Sequence, residues 1–519
     1  MRKIKILWAD DEIDLLKPHI LLLEQKDYSV DTALSGGEAV DMVDEVRYDV
    51  VFMDENMPGI SGLEALTAIK KKQPNLPIVM ITKSEEEYLM DDAIGSQISD
   101  YLIKPVNPKQ ILLSLKKIID SRRLISEKVN SNYRQDFMSL SSRVNDQMNP
   151  EEWKSLYKDL IYWELQLDKS REESMQEILS SQKQEANLNF AKYINKNYEN
   201  WIGDPDNCPE LSHNVFAKRV APIVRRRERP TVLVVIDNLR YDQWKFLQPV
   251  ITQNYDLQTD DLYTAILPTA TQYARNAFFA GLMPSDIKKR FGKKWLNEED
   301  EGGKNLYEKD FLEDLLQRLR LDVKFSYNKV VRLEAGKQLV DQGKNLVKRN
   351  DLVVVVYNFI DMLSHARTDM EVIKELAEDE SAYRSLTKSW FEHSPLREFL
   401  ESVSEEDVNL VITTDHGSIR VRKPVQIVGD RNTSTNLRYK QGKNLRYNYK
   451  EVLEFRNPED IKLPKSNMSS VFVMSEPEDF FVYPNKQNYY VNYYKNTFQH
   501  GGVSLEEMMV PFIELKSKR

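Results

Sequence analysis

The sequence predicts a multidomain α/β protein in which a helical segment connects two α/β domains. Short apolar strands alternate with amphipathic stretches in the N-terminal part, and the same rhythm returns after about residue 223. Between these parts the strand pattern disappears, and apolar residues recur at helical spacing. We therefore predict three domains, at residues 1–120, 121–222 and 223–519.

The composition is typical of a protein with several packed cores and little general affinity for nucleic acid. Of the 519 residues, 41% are apolar and 30% are charged. The 73 Lys and Arg against 82 Asp and Glu give a net charge of −9, which opposes unspecific binding to polyanions. The sequence has no bilayer-spanning apolar run, no signal-peptide pattern and a single cysteine, Cys208. We therefore expect a cytoplasmic protein without an internal disulfide.

The first domain is predicted to be a parallel sheet with helices on both faces. Its apolar runs are Ile4–Trp8, Val50–Met53, Ile78–Ile81 and Tyr101–Ile103. The reactive side chains that follow these runs are Asp10, Asp11, Asp54, Thr82 and Lys104. In open α/β sheets, ligands bind at the carboxyl ends of the strands, so we expect these side chains to converge.

Converging carboxylates predict a magnesium site next to a phosphorylation site. Carboxylates repel each other unless a hard divalent cation lies among them, and oxygen ligands suit Mg²⁺. Asp54 can then attack a phosphoryl donor, and Lys104 can pair with the incoming group. A single aspartate at the end of a strand would not predict a magnesium or phosphorylation site.

The ordered set resembles the two-component receiver domain over essentially all of residues 1–120. The matching segments read WADDE, FMDENMPGISGLE, MITKS and DYLIKPV. The resemblance implies a (βα)5 flavodoxin-like fold and phosphorylation of Asp54 by a sensor histidine kinase. It also implies Mg²⁺ bound by Asp10, Asp11, Asp54 and the Asn56 carbonyl, with switch roles for Thr82, Tyr101 and Lys104.

The middle region is predicted to be a helical connector that forms a small bundle. The segment Asn149–Glu152 offers an N-cap residue, a first-turn proline and a capping glutamate. Apolar residues from Trp153 to Leu167 then recur at helical spacing. The charged run at residues 171–183 leaves a mobile linker as the alternative, but the Trp and Tyr content favours packing.

The third domain is predicted to be a second, larger α/β domain. Its strands Thr231–Ile236, Asp351–Tyr357 and Val408–Thr413 are almost continuously apolar, which is typical of strands buried on both faces. The candidate ligands that follow these strands are Asp237, then Asp361 and His365, then Asp415 and His416. The Asp361–His365 spacing lets one helical turn direct both side chains at the same ion.

Two further segments add candidate residues to the third domain. His500 opens the segment HGGVSLEE, in which the glycines permit a tight turn and Ser504–Glu507 predicts a capping box. Thr271 lies in LPTATQYARN, where Pro268 breaks a strand and a helix can start. A helix N-terminus favours a phosphate group. A threonine hydroxyl is a weak nucleophile, however, and needs a metal to act as the alkoxide.

The order of these motifs resembles the alkaline phosphatase superfamily over about residues 230–519, particularly its PglZ-type and nucleotide phosphodiesterase-like branches. In chain order the motifs are Asp, Thr, Asp-x-x-x-His, Asp-His and His-Gly-Gly. The resemblance implies one ion held by Asp361, His365 and His500 and a second held by Asp237, Thr271, Asp415 and His416. Imidazole-rich ligation favours Zn²⁺, and the number of carboxylates leaves Mn²⁺ open. The resemblance also implies that Thr271 attacks phosphorus to form a covalent intermediate, which is then hydrolysed. Arg275 and Asn276 are candidates for phosphate contacts, with a surface role equally open.

The order of the three domains resembles the PorX-type response regulators, which are associated with type IX secretion. The resemblance implies a zinc-dependent phosphodiesterase for nucleotide-type substrates, gated by phosphorylation of Asp54, and a phosphorylation-dependent homodimer. One alternative is a non-catalytic metal- or nucleotide-binding module that engages transcription or secretion partners. Another is phosphotransfer to an acceptor other than water.

Basic stretches give a weak indication of the substrate. The stretches at Lys288–Lys294 and Arg420–Arg438 are compatible with an oligonucleotide or a cyclic nucleotide, although most such stretches are solvated surface. No convincing helix-turn-helix follows the connector, so an enzymatic output is expected instead of a DNA-binding module.

Overall fold

The chain forms two compact units, Met1–Asn132 and Tyr133–Arg519. The computed structural model describes residues 3–73, 76–82, 98–144, 147–170, 173–204, 207–297, 300–370, 373–374, 377, 379–430, 433–465 and 469–518. Within these residues, no helix combines the length and the apolar character that crossing a membrane requires.

The first unit contains a five-stranded parallel sheet in the order β2-β1-β3-β4-β5. Its strands are β1 (Lys5–Ala9), β2 (Ser29–Ala33), β3 (Val50–Asp54), β4 (Ile78–Thr82) and β5 (Asp100–Ile103). Its helices are a 3₁₀ turn at Ile13–Leu16, α1 (Lys17–Gln25), α2 (Gly36–Glu45), α3 (Gly62–Lys72) and the beginning of α4 (Pro108–Arg143).

Apolar clusters lie on both faces of this sheet, which confirms the predicted doubly covered parallel sheet. Leu7 belongs to one cluster and its neighbour Trp8 to the other, because successive side chains of a strand point to opposite faces. Strand β2 was not among the predicted strands. It is an edge strand whose residues Ser29, Asp31 and Thr32 break the apolar pattern.

The connector is helical, as predicted, and its two main helices pack together. Helix α5 spans Pro150–Ser170, and α6 spans Glu173–Gly203. The predicted cap is present, because the Asn149 side chain accepts hydrogen bonds from the backbone of Glu151 and Glu152 at 3.0 Å. Trp153 packs edge-on against Phe190 of α6. Residues 171 and 172 of the charged run lie outside the described residues.

The rest of the second unit is built on a six-stranded mixed sheet in the order β7-β18-β10-β6-β9-β8. These strands are β6 (Thr231–Ile236), β7 (Tyr255–Thr264), β8 (Phe325–Val330), β9 (Leu352–Tyr357), β10 (Asn409–Thr413) and β18 (Met509–Ser517). Strands β10, β6, β9 and β8 are parallel, and β8 forms one edge of the sheet, whereas β18 runs antiparallel to both of its neighbours. Strands β6 and β9 are buried at every residue, as predicted.

Helices cover this sheet, and small sheets lie beyond it. The helices are a π-helical turn at Phe216–Val220, α7 (Ala221–Arg226), α8 (Tyr241–Ile251), α9 (Thr271–Ala280), α10 (Pro284–Phe291), α11 (Glu308–Arg318), α12 (Leu333–Arg349), α13 (Phe359–Asp369), α14 (Glu380–Glu392), α15 (Pro395–Ser404), α16 (Gln487–Tyr494) and α17 (Leu505–Met508), with 3₁₀ turns at Gly292–Lys294, Tyr449–Glu451 and Pro458–Ile461. The small sheets pair β11 (Ile419–Arg420) with β17 (Phe498–Gln499) and β12 (Lys423–Gln426) with β16 (Asp479–Val482), and join β13 (Tyr439–Gly442), β15 (Val471–Ser475) and β14 (Val452–Phe455).

Candidate functional site

Two sets of potential metal ligands lie at the carboxyl edge of the six-stranded sheet. The ligand atoms of Asp361, His365 and His500 lie within 4.8 Å of one another, and so do those of Asp237, Asp415 and His416. The two sets adjoin, because the His416 and His500 rings stack with centroids 4.2 Å apart. The structure therefore brings together six of the seven residues that the sequence predicts as metal ligands.

The parallel strands explain why residues so distant in sequence meet here. Asp237 directly follows β6, and Asp415 follows β10, which pairs in parallel with β6. Asp361 and His365 lie one turn apart in α13, which begins just after β9, and their Oδ2 and Nε2 atoms are 3.5 Å apart. His500 directly follows β17.

Thr271, the seventh predicted ligand, lies beside the second set. Its Oγ1 is 3.0 Å from His416 Nε2 and 3.4 Å from Asp237 Oδ1. Thr271 is the first residue of α9, as the sequence predicted, so its hydroxyl lies at the positive end of the helix dipole. A phosphate group at this oxygen would lie at a helix N-terminus that favours an anion.

The electrostatics of the second set fit a divalent cation. Burial, together with the neighbouring Asp237, raises the pKa of Asp415 to about 8. Its buried Oδ2 accepts no hydrogen bond from any residue in the described part of the chain. A cation at this position would provide the missing partner and stabilise the charged carboxylate.

The histidines are held in the form that binds metals. Burial and the adjacent His416 lower the pKa of His500 to about 4, and burial also lowers the pKa of His416. Both imidazoles are therefore neutral near pH 7, and a neutral imidazole nitrogen offers a lone pair to a cation. Their Nδ1 atoms lie near the backbone carbonyl oxygens of Gly417 and Thr269, at 3.1 Å each. These contacts leave Nε2 of each ring for the cation.

Arg275 supports Asp237 from within the protein. The fully buried Arg275 donates from Nη1 to Asp237 Oδ2 at 2.7 Å and from Nε to Glu308 Oε1 at 2.6 Å. Burial is the largest single effect and raises the pKa of Asp237, but Arg275, His416 and His500 together outweigh it, and the pKa is lowered. Asn276 donates to the Gln272 carbonyl. Phosphate contact by Arg275 and Asn276 stays a prediction, and in this structure both side chains contact protein groups.

Sequence reasoning missed two supporting residues. Glu308 is buried and bonds both Arg275 and Lys329, but it stands in a charged helix start that resembles any solvated helix surface. Asn238 has φ of 65°, and its Nδ2 lies 3.5 Å from Asp361 Oδ1. Asn238 directly follows Asp237, and asparagine tolerates left-handed backbone. These two features could have identified Asn238 from the sequence as a supporting residue.

The basic stretches are largely engaged in ion pairs. Arg438 is fully buried and bonds Glu507, so it does not belong to a basic surface. Lys294 pairs with Asp310 at 2.8 Å, and Arg290 pairs with Asp314. Arg431 lies outside the described residues. The expected polyanion surface at these stretches therefore has little support.

In the first unit, the predicted receiver residues also converge. Asp10, Asp11 and Asp54 have ligand atoms within 4.8 Å of one another, and Lys104 Nζ lies 2.8 Å from Asp54 Oδ1 and 3.0 Å from Asp10 Oδ2. Burial raises the pKa of Asp54, and Asp10 adds to this effect. A cation among the carboxylates would offset both contributions.

The remaining receiver residues lie around this cluster. Thr82 is buried at the end of β4, Tyr101 is 38% exposed on β5, and Asn56 is exposed two residues after Asp54. In the predicted switch segment MITKS, the last two residues lie outside the described part of the chain.

Comparisons with known proteins divide the chain in the same order. A response regulator receiver domain model matches residues 6–116, and a PorX response regulator linker domain model matches residues 123–202. The BREX system PglZ alkaline phosphatase-like domain model matches residues 215–515.

Curated relatives match the receiver. The chain is 33% identical to the transcriptional regulatory protein ResD of Bacillus subtilis over 115 residues, which are 22% of this chain and 48% of that protein. It is 31% identical to the chemotaxis protein CheY of Listeria monocytogenes over 115 residues, which are 22% of this chain and 97% of that protein. The chain spans about half the length, or less, of the first transcriptional regulators that it matches.

Solved structures match the same region. The chemotaxis response regulator CheY4 of Vibrio cholerae is 30% identical, with 22% of this chain and 99% of that chain covered and a TM-score of 0.21. The response regulator TrrA of Thermotoga maritima is 31% identical, with 22% of this chain and 98% of that chain covered and a TM-score of 0.21.

The PglZ model matches more than half of the sequence, so the chain belongs to the PglZ alkaline phosphatase-like family. In this member of the family, a receiver domain and a PorX-type linker precede the PglZ domain.

Proposed function

We propose that the protein is a two-component response regulator whose output is a metal-dependent phosphodiesterase with Thr271 as the nucleophile. The proposed substrate is a nucleotide-type phosphodiester. The observation that carries the proposal is the position of Thr271 Oγ1, 3.0 Å from His416 Nε2 and 3.4 Å from Asp237 Oδ1, at the N-terminus of α9.

Two divalent cations would be held by the ligand sets. The proposed ligands of the first are Asp361, His365 and His500, and those of the second are Asp237, Thr271, Asp415 and His416. When bound, they supply Lewis-acid stabilisation of the attacking and leaving oxygens. We favour zinc because three imidazoles contribute, with manganese as the alternative.

The protein side chains perform the remaining steps. Thr271 Oγ1 releases its proton to solvent, attacks phosphorus and displaces the leaving oxygen, which takes up a proton from solvent. The α9 N-terminus stabilises the negative oxygens of the phosphoryl group. Water then hydrolyses the phosphothreonine and restores the hydroxyl. Arg275 acts as a positioning residue, because its hydrogen bond fixes Asp237.

We propose that phosphorylation of Asp54 by a sensor histidine kinase regulates this activity. Mg²⁺ would be bound by Asp10, Asp11, Asp54 and the Asn56 carbonyl and would favour formation of the acyl phosphate. Lys104 would pair with the phosphoryl group, and Thr82 and Tyr101 would respond to it.

The phosphorylated form is proposed to be a homodimer. Sedimentation with beryllofluoride should show a dimer for the unmodified sequence and a monomer for Asp54→Asn. A monomer in both cases would refute regulated dimerisation.

The cellular setting is a further part of the proposal. We propose that the protein acts in the cytoplasm and regulates type IX secretion, and the match to a PorX response regulator linker domain motivates this role. A strain that lacks the chain should lose secretion of the proteins that this system exports. Normal secretion would exclude the role.

Product release from bis(p-nitrophenyl) phosphate tests the catalytic proposal. The zinc-loaded full chain should release p-nitrophenol, Thr271→Ala should not, and Thr252→Ala is a control because Thr252 lies at the end of α8. If neither the unmodified protein nor Thr271→Ala turns over diesters while both bind zinc and nucleotide, the protein is a binding module. Turnover in ¹⁸O-labelled water that leaves no label in the product would instead indicate phosphotransfer to another acceptor.

A further inference from the structure

We propose that helix α16 is a base-stacking subsite that selects a single-stranded oligonucleotide for the metal centre. This inference rests on the proposed phosphodiesterase function, and it adds the shape of the substrate and the side chains that recognise it. The helix has the sequence QNYYVNYY, and none of its residues is buried.

The four tyrosines of α16 form two nearly parallel pairs, each with one exposed and one half-buried ring. Tyr489 and Tyr493 lie with ring centroids 6.1 Å apart and planes 13° apart, and Tyr490 and Tyr494 lie 6.2 Å and 11° apart. Tyr489 is 62% exposed and Tyr490 is 37% exposed. Exposed aromatic rings such as those of Tyr489 and Tyr490 are the feature on which unpaired bases stack in proteins that bind single strands.

The helix is anchored on the segment that carries the metal-site histidines. Val491 and Tyr494 pack against an apolar cluster that includes Ile419. Ile419 lies three residues after His416 and pairs with Gln499, the residue before His500. The stacked tyrosines are therefore fixed to the strand pair that positions both histidines.

Charge along this segment favours an anionic ligand. From Phe480 to Leu505 the sequence has no Asp or Glu, although these residues make up 82 of 519 in the chain. Lys486 and Lys495 flank the helix and are exposed. A phosphodiester backbone can approach this segment without the repulsion expected from a chain with a net charge of −9.

The polar residues of α16 suit base edges. Asn488 and Asn492 are exposed and lie four residues apart, so they occupy the same helix face, each directly before a tyrosine pair. A side-chain amide both donates and accepts, which matches the edges of unpaired bases. Each turn of α16 thus presents an amide beside two aromatic rings.

The distance to the metal centre sets the length of the ligand. Tyr494 precedes His500 by six residues, so their Cα atoms are separated by at most about 22 Å. The exposed rings of Tyr489 and Tyr490 lie up to about 8 Å further along the helix. Stacked nucleotides advance by about 3.4 Å along a strand, so a ligand that reaches from these rings to the metal centre contains up to about nine nucleotides. A mononucleotide or a small aryl diester would occupy the metal centre alone.

Binding is tested first, without turnover. In a zinc-loaded Thr271→Ala background, the anisotropy of a labelled ten-nucleotide deoxythymidine strand gives the Kd. We expect the double change Tyr489→Ala/Tyr490→Ala to raise the Kd at least about tenfold, because each lost stack contributes to affinity. Tyr489→Phe/Tyr490→Phe should retain binding. Tyr449→Ala is the control, because Tyr449 is 69% exposed outside α16.

The same variants in the active protein give a second readout. Tyr489→Ala/Tyr490→Ala should raise the KM for the ten-nucleotide strand and leave kcat/KM for bis(p-nitrophenyl) phosphate unchanged. Equal losses on both substrates would overturn the subsite. A Kd within twofold of the parent protein, or equally tight binding of an abasic strand, would also overturn it. If the unmodified protein hydrolyses neither substrate, the proposed function fails, while the anisotropy result still decides whether α16 binds oligonucleotides.

Discussion

Arg275 lies between Asp237 and Glu308 and bonds both carboxylates from a fully buried position. A lysine there would keep the charge but could not bridge two carboxylates with a rigid fork. We expect Arg275→Lys to lower kcat for diesters by about 10- to 100-fold, as is typical when the support of a metal ligand is lost. Arg290→Lys is the matched control, because Arg290 pairs with Asp314 at the surface. Equal activity of the two variants would contradict the assigned role.

His213 provides a pH-dependent prediction. Burial, aided by Lys462 and Lys218, lowers the pKa of His213 to about 4. The unfolded chain takes up this proton near pH 6.5 and the folded protein only near pH 4, so folding loses stability as the pH falls through this window. Between pH 7 and pH 5 we expect a loss of about 1–2 kcal/mol that is absent in His213→Gln. Urea unfolding at both pH values measures it, and the exposed His393→Gln serves as the control.

The residue scale also shows how far a sequence can identify a site. The convergence of Asp237, Asp361 and Asp415 was predictable because each follows an apolar strand, and parallel strands bring their carboxyl ends to one edge. Glu308 was not predictable. Its contact with Arg275 depends on the packing of α11 against α9, and nothing in its neighbours distinguishes it from a solvated helix start.

At the scale of elements, a buried ion-pair network joins the connector helix α5 to the PglZ domain. Arg384 of α14 donates to Glu164 at 2.7 Å and to Asp242 at 2.9 Å, and also bonds Asp168. Lys183 of α6 pairs with Glu164 at 2.6 Å. Asp242 lies in the first turn of α8, directly after the loop that carries the candidate ligand Asp237. The connector is therefore attached to the segment that shapes the metal centre.

Removing Arg384 should destabilise this junction strongly. Arg384→Met would leave buried carboxylates without their cation, which typically costs about 3–5 kcal/mol. The control is Arg397→Met, because Arg397 forms a surface pair with Glu401 at i,i+4 that is worth at most about 1 kcal/mol. The midpoint of urea unfolding followed by tryptophan fluorescence compares the two. A loss no larger than that of the control would show that the network contributes little to stability.

The central parallel strands of both sheets were predictable because burial on both faces requires uninterrupted apolar runs. The edge strand β7 escaped prediction, since Asp256, Asp260 and Asp261 interrupt its apolar pattern. Strand β18 lies between β7 and β10 in an antiparallel orientation. That position depends on long-range pairing, so only the folded chain reveals it.

At the scale of the whole molecule, metal binding should stabilise the second unit. A ligand that binds only the folded state adds about 2.7 kcal/mol at one hundred times its Kd. We expect the melting temperature to rise with added zinc and to fall again with a chelator. Asp361→Ala should weaken this response, whereas Asp54→Asn, in the first unit, should leave it intact. A zinc response that persists in Asp361→Ala at all concentrations would refute the assignment of that ligand.

The sequence by itself determined the order of the domains, the strands that deliver the reactive residues and the choice of the candidate ligands, because these depend on local apolar pattern and chain order. Only the tertiary structure decided which carboxylates are supported by Arg275, that Arg438 is buried against Glu507, and that Tyr494 of α16 packs against the cluster of Ile419. These features arise from contacts between residues far apart in the chain. Their free energy depends on burial and geometry, which neighbouring residues in the sequence do not encode.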